Sequence, residues 1–429
     1  MALPNIRLVR AAPDPLGLYL RIGHTGQKDL QSFISSGDAA FSGVVFDARR
    51  VAKQKELLSL VLERRIDAVL DPQTQPMALP GGYIEAMGDL PWSAKRVHTY
   101  DDFSPNLRHK IADEIAQFAV ANGFTQVLAP THLLTGPDDR WLDIDIATTK
   151  ALRLALHRRG GKNIQINYSL AVSYVTFRTA SKRKAILDRL RAANIDSVWL
   201  HVDGCGADSS PTAVTRYSDA AVDFHDLGLP IVADHMGGLV GLSLLAFGVV
   251  GGLSHGITLG ERFNCGHWHK VPVPGGPAFA PKLRVYIPPL DLMLPRGDAE
   301  RLFETGGKAR TAFGCRNTAC CARGITDMLQ APARHFLYQR TREIAGLSQI
   351  PESLRPQQFL EEHLRPASDR AILAKQLPLP ETLQKKIDGH SKRLNDLRIV
   401  LGTYSQTRRQ TSFAQHPKTR AAREVGRQA

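Results

Sequence analysis

The sequence predicts an α/β fold: a (β/α)8 barrel of the TIM type carrying a C-terminal helical subdomain with potential zinc ligands. Eight apolar runs of strand length alternate with helical stretches, and polar residues gather at the carboxyl ends of those runs. A chain of 429 residues has room for one large barrel plus an appendage. An open doubly wound sheet shares the alternation; the count of eight favours closure.

The first strand is Leu16-Gly-Leu-Tyr-Leu-Arg-Ile-Gly23, followed by a helix over 28–36. Ser42-Gly-Val-Val-Phe-Asp47 is the second, with an amphipathic helix over 51–64 behind it. Ile66-Asp-Ala-Val-Leu-Asp71 is the third. It opens onto a long excursion that ends near residue 103 and contains Pro80-Gly-Gly82; long loops inside compact domains commonly carry function. A helix over 107–122 leads to the fourth strand, Thr125-Gln-Val-Leu-Ala-Pro130. Then come a helix over 144–159, the fifth strand Asn163-Ile-Gln-Ile-Asn-Tyr168, and a helix over 180–193. Ser197-Val-Trp-Leu-His-Val-Asp203 is the sixth strand, with a helix over 212–227.

The stretch 230–257 completes the count. Pro230-Ile-Val-Ala233 is apolar without alternation, as a parallel strand covered on both faces should be, and it ends in Asp234 and His235. Gly237 and Gly238 lie in the turn that follows, and 242–250 is apolar nearly all round, as in a helix buried on a sheet. Gly251-Gly252 stops that helix, and Leu253-Ser-His255 starts the eighth strand. Residues 260–288 read as loop with short strands; 299–305, 323–346, 355–376 and 381–401 read as helices. The expected organisation is a barrel over 1–260, a loop and helical subdomain over 261–403, and a basic tail over 404–429.

An apolar fraction of 43% and a charged fraction of 22% describe an ordinary soluble protein. The N-terminal residues lack the apolar core of a signal peptide, and no apolar run reaches membrane-spanning length, so the cytoplasm is the expected location and no membrane partner is expected. The net charge of +14 suits a polyanionic partner, because Lys and Arg contacts to phosphate release counterions; a merely solvated basic surface would look the same. Arg408, Arg409, Lys418, Arg420, Arg423 and Arg427 face only Glu424 in the tail, which is therefore expected to be disordered and free to touch nucleic acid.

In a parallel barrel the reacting groups stand where strands end. Those ends supply Asp47, Asp71, His132, His201, Asp203, Asp234, His235 and His255. Carboxylates crowded in a partly dry cleft push each other's pKa apart, so one can attack or take a proton while another gives one. Each acid alone could equally cap the next helix. Gly237-Gly238 and Gly251-Gly252 offer a second chemistry, since glycine turns at this end of a barrel can hold phosphate on backbone NH groups. A catalytic zinc is not expected on this rim, which lacks a His-x-His pair.

Five cysteines do not make a disulfide framework. Cys315, Cys320 and Cys321 crowd together, with His335 downstream, and thiolate plus imidazole suits a closed, structural zinc site. Cys265, His267 and His269 form a weaker set.

With these residues in view, the layout resembles the tRNA-guanine transglycosylase superfamily, over about residues 15–345. In that family an Asp ends the third strand, where Asp71 stands with its long loop. A Cys/His zinc subdomain follows strand eight, where Cys315, Cys320 and Cys321 precede Arg334-His-Phe-Leu337 and Arg342-Glu343. The chain departs from the tRNA enzymes in having Pro72-Gln-Thr rather than Ser-Gly-Gly after that Asp. It has His201-Val-Asp-Gly-Cys-Gly206 in place of the sixth-strand glycine motif. It has His255 and later Glu261 where their nucleophilic Asp belongs to strand eight, and it does not repeat their cysteine spacing. In character it is closer to the DNA-modifying paralogues.

The resemblance implies a transglycosylase that exchanges guanine in nucleic acid, DNA rather than tRNA, for a 7-deazaguanine base through a carboxylate-linked glycosyl intermediate, with partner proteins an open question. Asp71 would be the acid/base, Asp234 or Asp203 the nucleophile, and His235 and His255 would orient or protonate. Asp47, His201, His132, Gly237 and Gly238 would bind substrate. Two other readings stand beside it: a flavin- or phosphosugar-dependent barrel enzyme using the glycine turns, and a non-enzymatic nucleic-acid-binding component.

Overall fold

A computed structural model describes residues 15–37, 40–271, 283–408 and 412–425. Eight parallel strands close on themselves: β1 (Gly17–Ile22), β2 (Gly43–Asp47), β3 (Asp67–Asp71), β4 (Gln126–Leu128), β5 (Gln165–Ser173), β6 (Ser197–Asp203), β7 (Ile231–Asp234) and β8 (Gly252–Gly256). Each pairs with the next, and β8 returns to β1 in register Leu20 to His255. The two-residue strand Leu133–Leu134 extends the sheet beside the end of β5. The fold class is the one expected.

Helices α1 (Gln27–Ser35), α2 (Lys55–Glu63), α3 (Pro105–Ala121), α4 (Arg140–Arg158), α5 (Ala180–Leu190), α6 (Pro211–Val222) and α7 (Gly238–Ala246) form the outer ring. Local chemistry starts several of them: Asp139 caps α4 by accepting from the Trp141 amide, and Ser210 with Pro211 opens α6. Every residue of α7 is buried, in keeping with its all-round apolar composition.

The eighth helix is α8 (Pro332–Ser348). It packs on α1, where Tyr338 meets Phe33 edge-on at 4.7 Å. Residues 257–331 are thus an insertion between β8 and its helix, and the barrel runs past the expected boundary at 260. The insertion carries the antiparallel hairpin β9 (Arg284–Ile287) and β10 (Leu292–Pro295). Helices α9 (Arg365–Lys375) and α10 (Glu381–Thr407) follow, and Tyr404 and Phe359 lie against Phe247 at the end of α7.

Strand side chains alternate between the barrel interior and the helix layer. The interior is therefore stacked in levels. Tyr19, Val45, Val69, Leu128, Trp199 and Val232 make an apolar middle level. Two residues before them on three of the strands, Asp67, Gln126 and Ser197, with neighbouring Asn167 of β5, make a polar floor; Asn167 donates to Gln126 at 2.8 Å and accepts from Ser197 at 2.7 Å. Two residues after them come Arg21, Asp47, Asp71, His201 and Asp234, at the carboxyl mouth.

The basic tail departs from the disorder expected of it over residues 412–425, which lie across the floor. Arg423 donates to both oxygens of buried Asp67, one at 3.0 Å, and Ala414 donates to Gly248 at 2.9 Å. Gly17, Gly251 and Gly252 leave room for this segment, since a side chain on Gly17 would press on Pro417 at 3.1 Å.

Candidate active site

The mouth is organised by Arg21, which alternation on β1 turns into the barrel. Its Nη1 donates to Asp71 Oδ2 at 2.7 Å, its Nε to Asp234 Oδ1 at 2.8 Å and its Nη2 to Asp234 Oδ2 at 2.5 Å. Burying a lone guanidinium would cost several kcal/mol, and two carboxylates on opposite sides of the ring of strands compensate it. His201 Nε2 reaches Asp234 Oδ2 at 2.7 Å and Ser169 Oγ at 2.9 Å, and the His235 amide donates to Asp234 Oδ1. Asp234 is thus fully buried with donors on both oxygens. Asp71 also accepts from the Gln73 amide at 2.8 Å, but a fifth of its side chain stays open to the mouth. Asp47 pairs with Asp71 in strand register, and adjacent strands lie about 4.8 Å apart.

The electrostatics divide these acids. Burial works to raise the Asp234 pKa, but the charge and hydrogen bonds of Arg21, with His201 and His235 at its side, hold it well below the usual carboxylate range. Burial, with neighbouring Asp71 adding repulsion, raises Asp47 to about 6, against the pull of Arg21, Arg49 and Arg50. Burial lowers His235 to about 3. Around the lip, Arg49 lies over the half-exposed ring of Tyr83 at 5.3 Å. His24 is lowered by burial and by the positive charge of Arg50, Arg49 and Lys53. Phe263 stands against His201, His235 and Trp268, forming an aromatic wall.

The expected site residues separate into two sets. Asp71, Asp234, His201, His235 and Asp47 converge. Asp203 is on the same face one step higher, where its carboxylate accepts from the Cys265 amide at 2.8 Å and anchors the loop after β8. His255 does not join them: it alternates outward, toward Phe336 of α8, with its Nδ1 on Gly256 O. His132 also points away, bound to Asp145 of α4 at 2.6 Å and stacked on Trp141 at 3.6 Å.

The glycine turns do not form a phosphate cradle. The amide of Gly238 donates to Glu261 at 3.2 Å and that of Leu239 to Asp291 at 2.7 Å, and Arg340 pairs with both acids. An anion's place at the α7 N-terminus is therefore filled by the chain's own carboxylates. Gly251 and Gly252 lie at the start of β8, on the floor side. Arg21, Gln73, Gln75 and Ser169 are the polar groups that sequence reasoning missed. Gln75 donates to Ser169 Oγ at 2.7 Å, and Gln73 holds a left-handed backbone (φ 60°). The one available signal was a charge inside an apolar strand.

Cys315, Cys320, Cys321 and His335 form a second cluster, with donor atoms all within 4.8 Å of one another. Cys315 and Cys320 sulfurs are 3.6 Å apart, and His335 Nδ1 is 3.7 Å and 3.3 Å from the sulfurs of Cys320 and Cys321. A tetrahedral ion with metal–sulfur bonds near 2.3 Å needs donor separations of roughly 3.4–3.8 Å. The cluster fits a metal ion. His335 Nε2 donates to Tyr286 O at 3.0 Å, leaving Nδ1 as the ligand, and Gln339 donates to Cys320 at 3.3 Å. Cys265 and His269 approach to 4.0 Å, while His267 turns to Tyr83. His201, Asp234 and His235 also offer three donors, but Arg21 already supplies the positive charge there.

No family model and no curated protein matches the chain. Solved structures do. An orotidine 5′-monophosphate decarboxylase from Methanocaldococcus jannaschii is 8% identical over 60% of this chain and 96% of its own, with a TM-score of 0.35. A chitinase from Chromobacterium violaceum is 12% identical over 60% and 98%, with a TM-score of 0.38. A Penicillium canescens endo-1,4-β-xylanase is 12% identical over 57% and 83%, with a TM-score of 0.37. Likenesses this distant say nothing of chemistry. Among the described residues, no helix is long and apolar enough to cross a membrane.

Proposed function

We propose that the protein is an enzyme of the transglycosylase kind, exchanging guanine for a 7-deazaguanine base in nucleic acid, with DNA favoured over tRNA. The observation that carries this reading is the convergence of Asp71 and Asp234 on Arg21 at the barrel mouth, with Asp47 in register beside Asp71. An acid raised to about 6, Asp47, in register beside a carboxylate clamped by Arg21, Asp71, is the pairing that glycosyl transfer through a covalent intermediate can use.

Asp71, the clamped carboxylate with a face to the mouth, attacks C1′. An O–C1′ bond forms, the C1′–N9 bond breaks, and its electron pair leaves with guanine, which takes the Asp47 proton. The incoming base then attacks C1′ through its own ring nitrogen, returns its proton to Asp47 and frees Asp71. This moves the nucleophile's role expected of Asp234 or Asp203 to Asp71, and the acid/base role expected of Asp71 to Asp47: with its oxygens held by Arg21, His201 and the His235 amide, Asp234 positions Arg21 and so orients Asp71.

The surroundings suit a nucleotide drawn out of its stack. Trp268, backed by buried Phe263, offers an aromatic face, and Arg49 and Arg50 supply charge for flanking phosphates. Cys315, Cys320, Cys321 and His335 would hold a structural zinc, which ties the insertion to α8 and takes no part in the chemistry.

Release of labelled guanine from DNA and from tRNA, with peptide mapping of the trapped glycosyl adduct, tests the reading. An adduct on Asp71 is expected; an adduct on Asp234 reverses the roles, and no exchange on either substrate removes the proposal. The flavin or phosphosugar alternative has lost its anion site to Glu261 and Asp291.

A further inference from the structure

We propose that a cavity beside the Cys/His cluster binds a phosphate of the nucleic-acid strand, a contact separate from the barrel mouth. The inference rests on the nucleic-acid part of the proposed function and names where that partner is gripped. The cavity measures about 370 Å³, large enough for a phosphate with part of its sugar. Arg316, Arg342 and Arg370 line it, together with Asn317, Gln339 and the rings of Pro288 and Pro289, and no carboxylate does.

Three guanidinium groups around one concavity repel each other, and among the described residues none of the three pairs with an acid. A site of this kind is stable when an anion occupies it. Two of the arginines are pre-set: Arg316 donates to Thr311 O at 2.8 Å and Arg370 to Ala312 O at 3.1 Å. Each keeps further N–H groups for a ligand, and the planar fork of arginine matches phosphate oxygens. The proline rings offer an apolar wall on which a sugar can rest.

The cluster sets the wall of the cavity. Cys315 itself lines it, and Arg316 and Asn317 follow directly in sequence, with the Asn317 amide donating to Cys315 Sγ at 3.4 Å. Binding a metal would therefore also fix the geometry of the arginines.

The test is fluorescence anisotropy of the full chain with a labelled DNA duplex over a salt series, comparing wild type with the triple variant Arg316→Gln, Arg342→Gln, Arg370→Gln. Loss of one phosphate contact is expected to weaken binding about tenfold and to reduce the slope of log K against log salt by about 0.9. The triple Arg→Lys variant should recover part of the affinity. Unchanged metal content and melting temperature show that the cluster and fold persist. Equal affinity and slope in wild type and variant overturn the proposal. So does binding of 5′-GMP in the cavity by a chain that does not bind DNA, since the occupant is then a free nucleotide. The exchange assay on the wild type separates the two readings: no guanine exchange together with intact, arginine-dependent DNA binding removes the transglycosylase reading and leaves the cavity standing on its own.

Discussion

The two ends of the barrel solve the same problem in opposite ways. Each buries an acid that needs a cation: Asp234 at the mouth and Asp67 at the floor. At the mouth the cation, Arg21, reaches across from β1, two strands away from β7, and is shared with Asp71, which stays partly open. At the floor it is Arg423, from a segment laid across the outside, and the pair is sealed. The floor chemistry closes the fold; the mouth chemistry holds charges close to solvent without neutralising their use. A buried ion pair is thus no sign of function until one partner faces a cavity.

Asp71→Asn should lower guanine exchange per folded molecule by about three orders of magnitude or more, with Asp234 still holding Arg21 in place. Exchange that survives this change would remove Asp71 from the reaction. Arg21→Lys, which cannot bridge two carboxylates, should cost about a hundredfold in exchange.

The floor should respond in the opposite sense. Arg423→Ala leaves Asp67 charged and unpaired, and should destabilise the fold by about 3–5 kcal/mol, read from denaturant midpoints. Activity per folded molecule should not move. An unaffected midpoint would mean that the tail is not a structural part of the barrel.

Metal removal is a test of intermediate size. Chelation, or Cys321→Ser, should release about one zinc per chain and lower the melting temperature, because three ligands lie in the insertion and the fourth on α8. A metal-free preparation with an unchanged melting curve would dismiss the site.

The smallest effect concerns pH. The folded-state pKa of Asp47 is raised to about 6, so the fold favours its protonated form. That contribution is complete at low pH and is lost as pH rises through 6. Asp47→Asn should therefore stabilise the protein by about 1–3 kcal/mol at pH 8, with the gap closing below pH 5. Exchange should also fall above pH 6 if Asp47 delivers the proton. A flat stability difference across that range would show that Asp47 does not titrate there.

Much of the ring could be read in advance, because parallel strands buried on both faces leave unbroken apolar runs. β3 and β7 end at Asp71 and Asp234, where the runs Ile66–Asp71 and Pro230–Ala233 stop being apolar. Which face each polar residue took was less legible. His255 stands at a strand end like Asp234, yet a one-residue difference in parity sends it into the helix layer, and His132, in the loop four residues past the end of β4, turns to Asp145 of α4 instead. Arg21 was overlooked because a single arginine in Gly-Leu-Tyr-Leu-Arg-Ile has the same appearance whether it faces solvent or an acid. The glycines misled for a related reason: room for a ligand and room for the chain's own Glu261 or Gln415 require the same residue. The tail misled because basic composition predicts solvation, whereas one of its arginines had a buried partner 356 residues away.

That separation has a bearing on how the protein is made. A ribosome must deliver Arg423 before Asp67 can be neutralised, so the first strands emerge with an unmatched charge at what will be the inside of the ring. Nascent chains should therefore stay open, and dependent on chaperones, until the final stretch has threaded beneath the barrel and locked it.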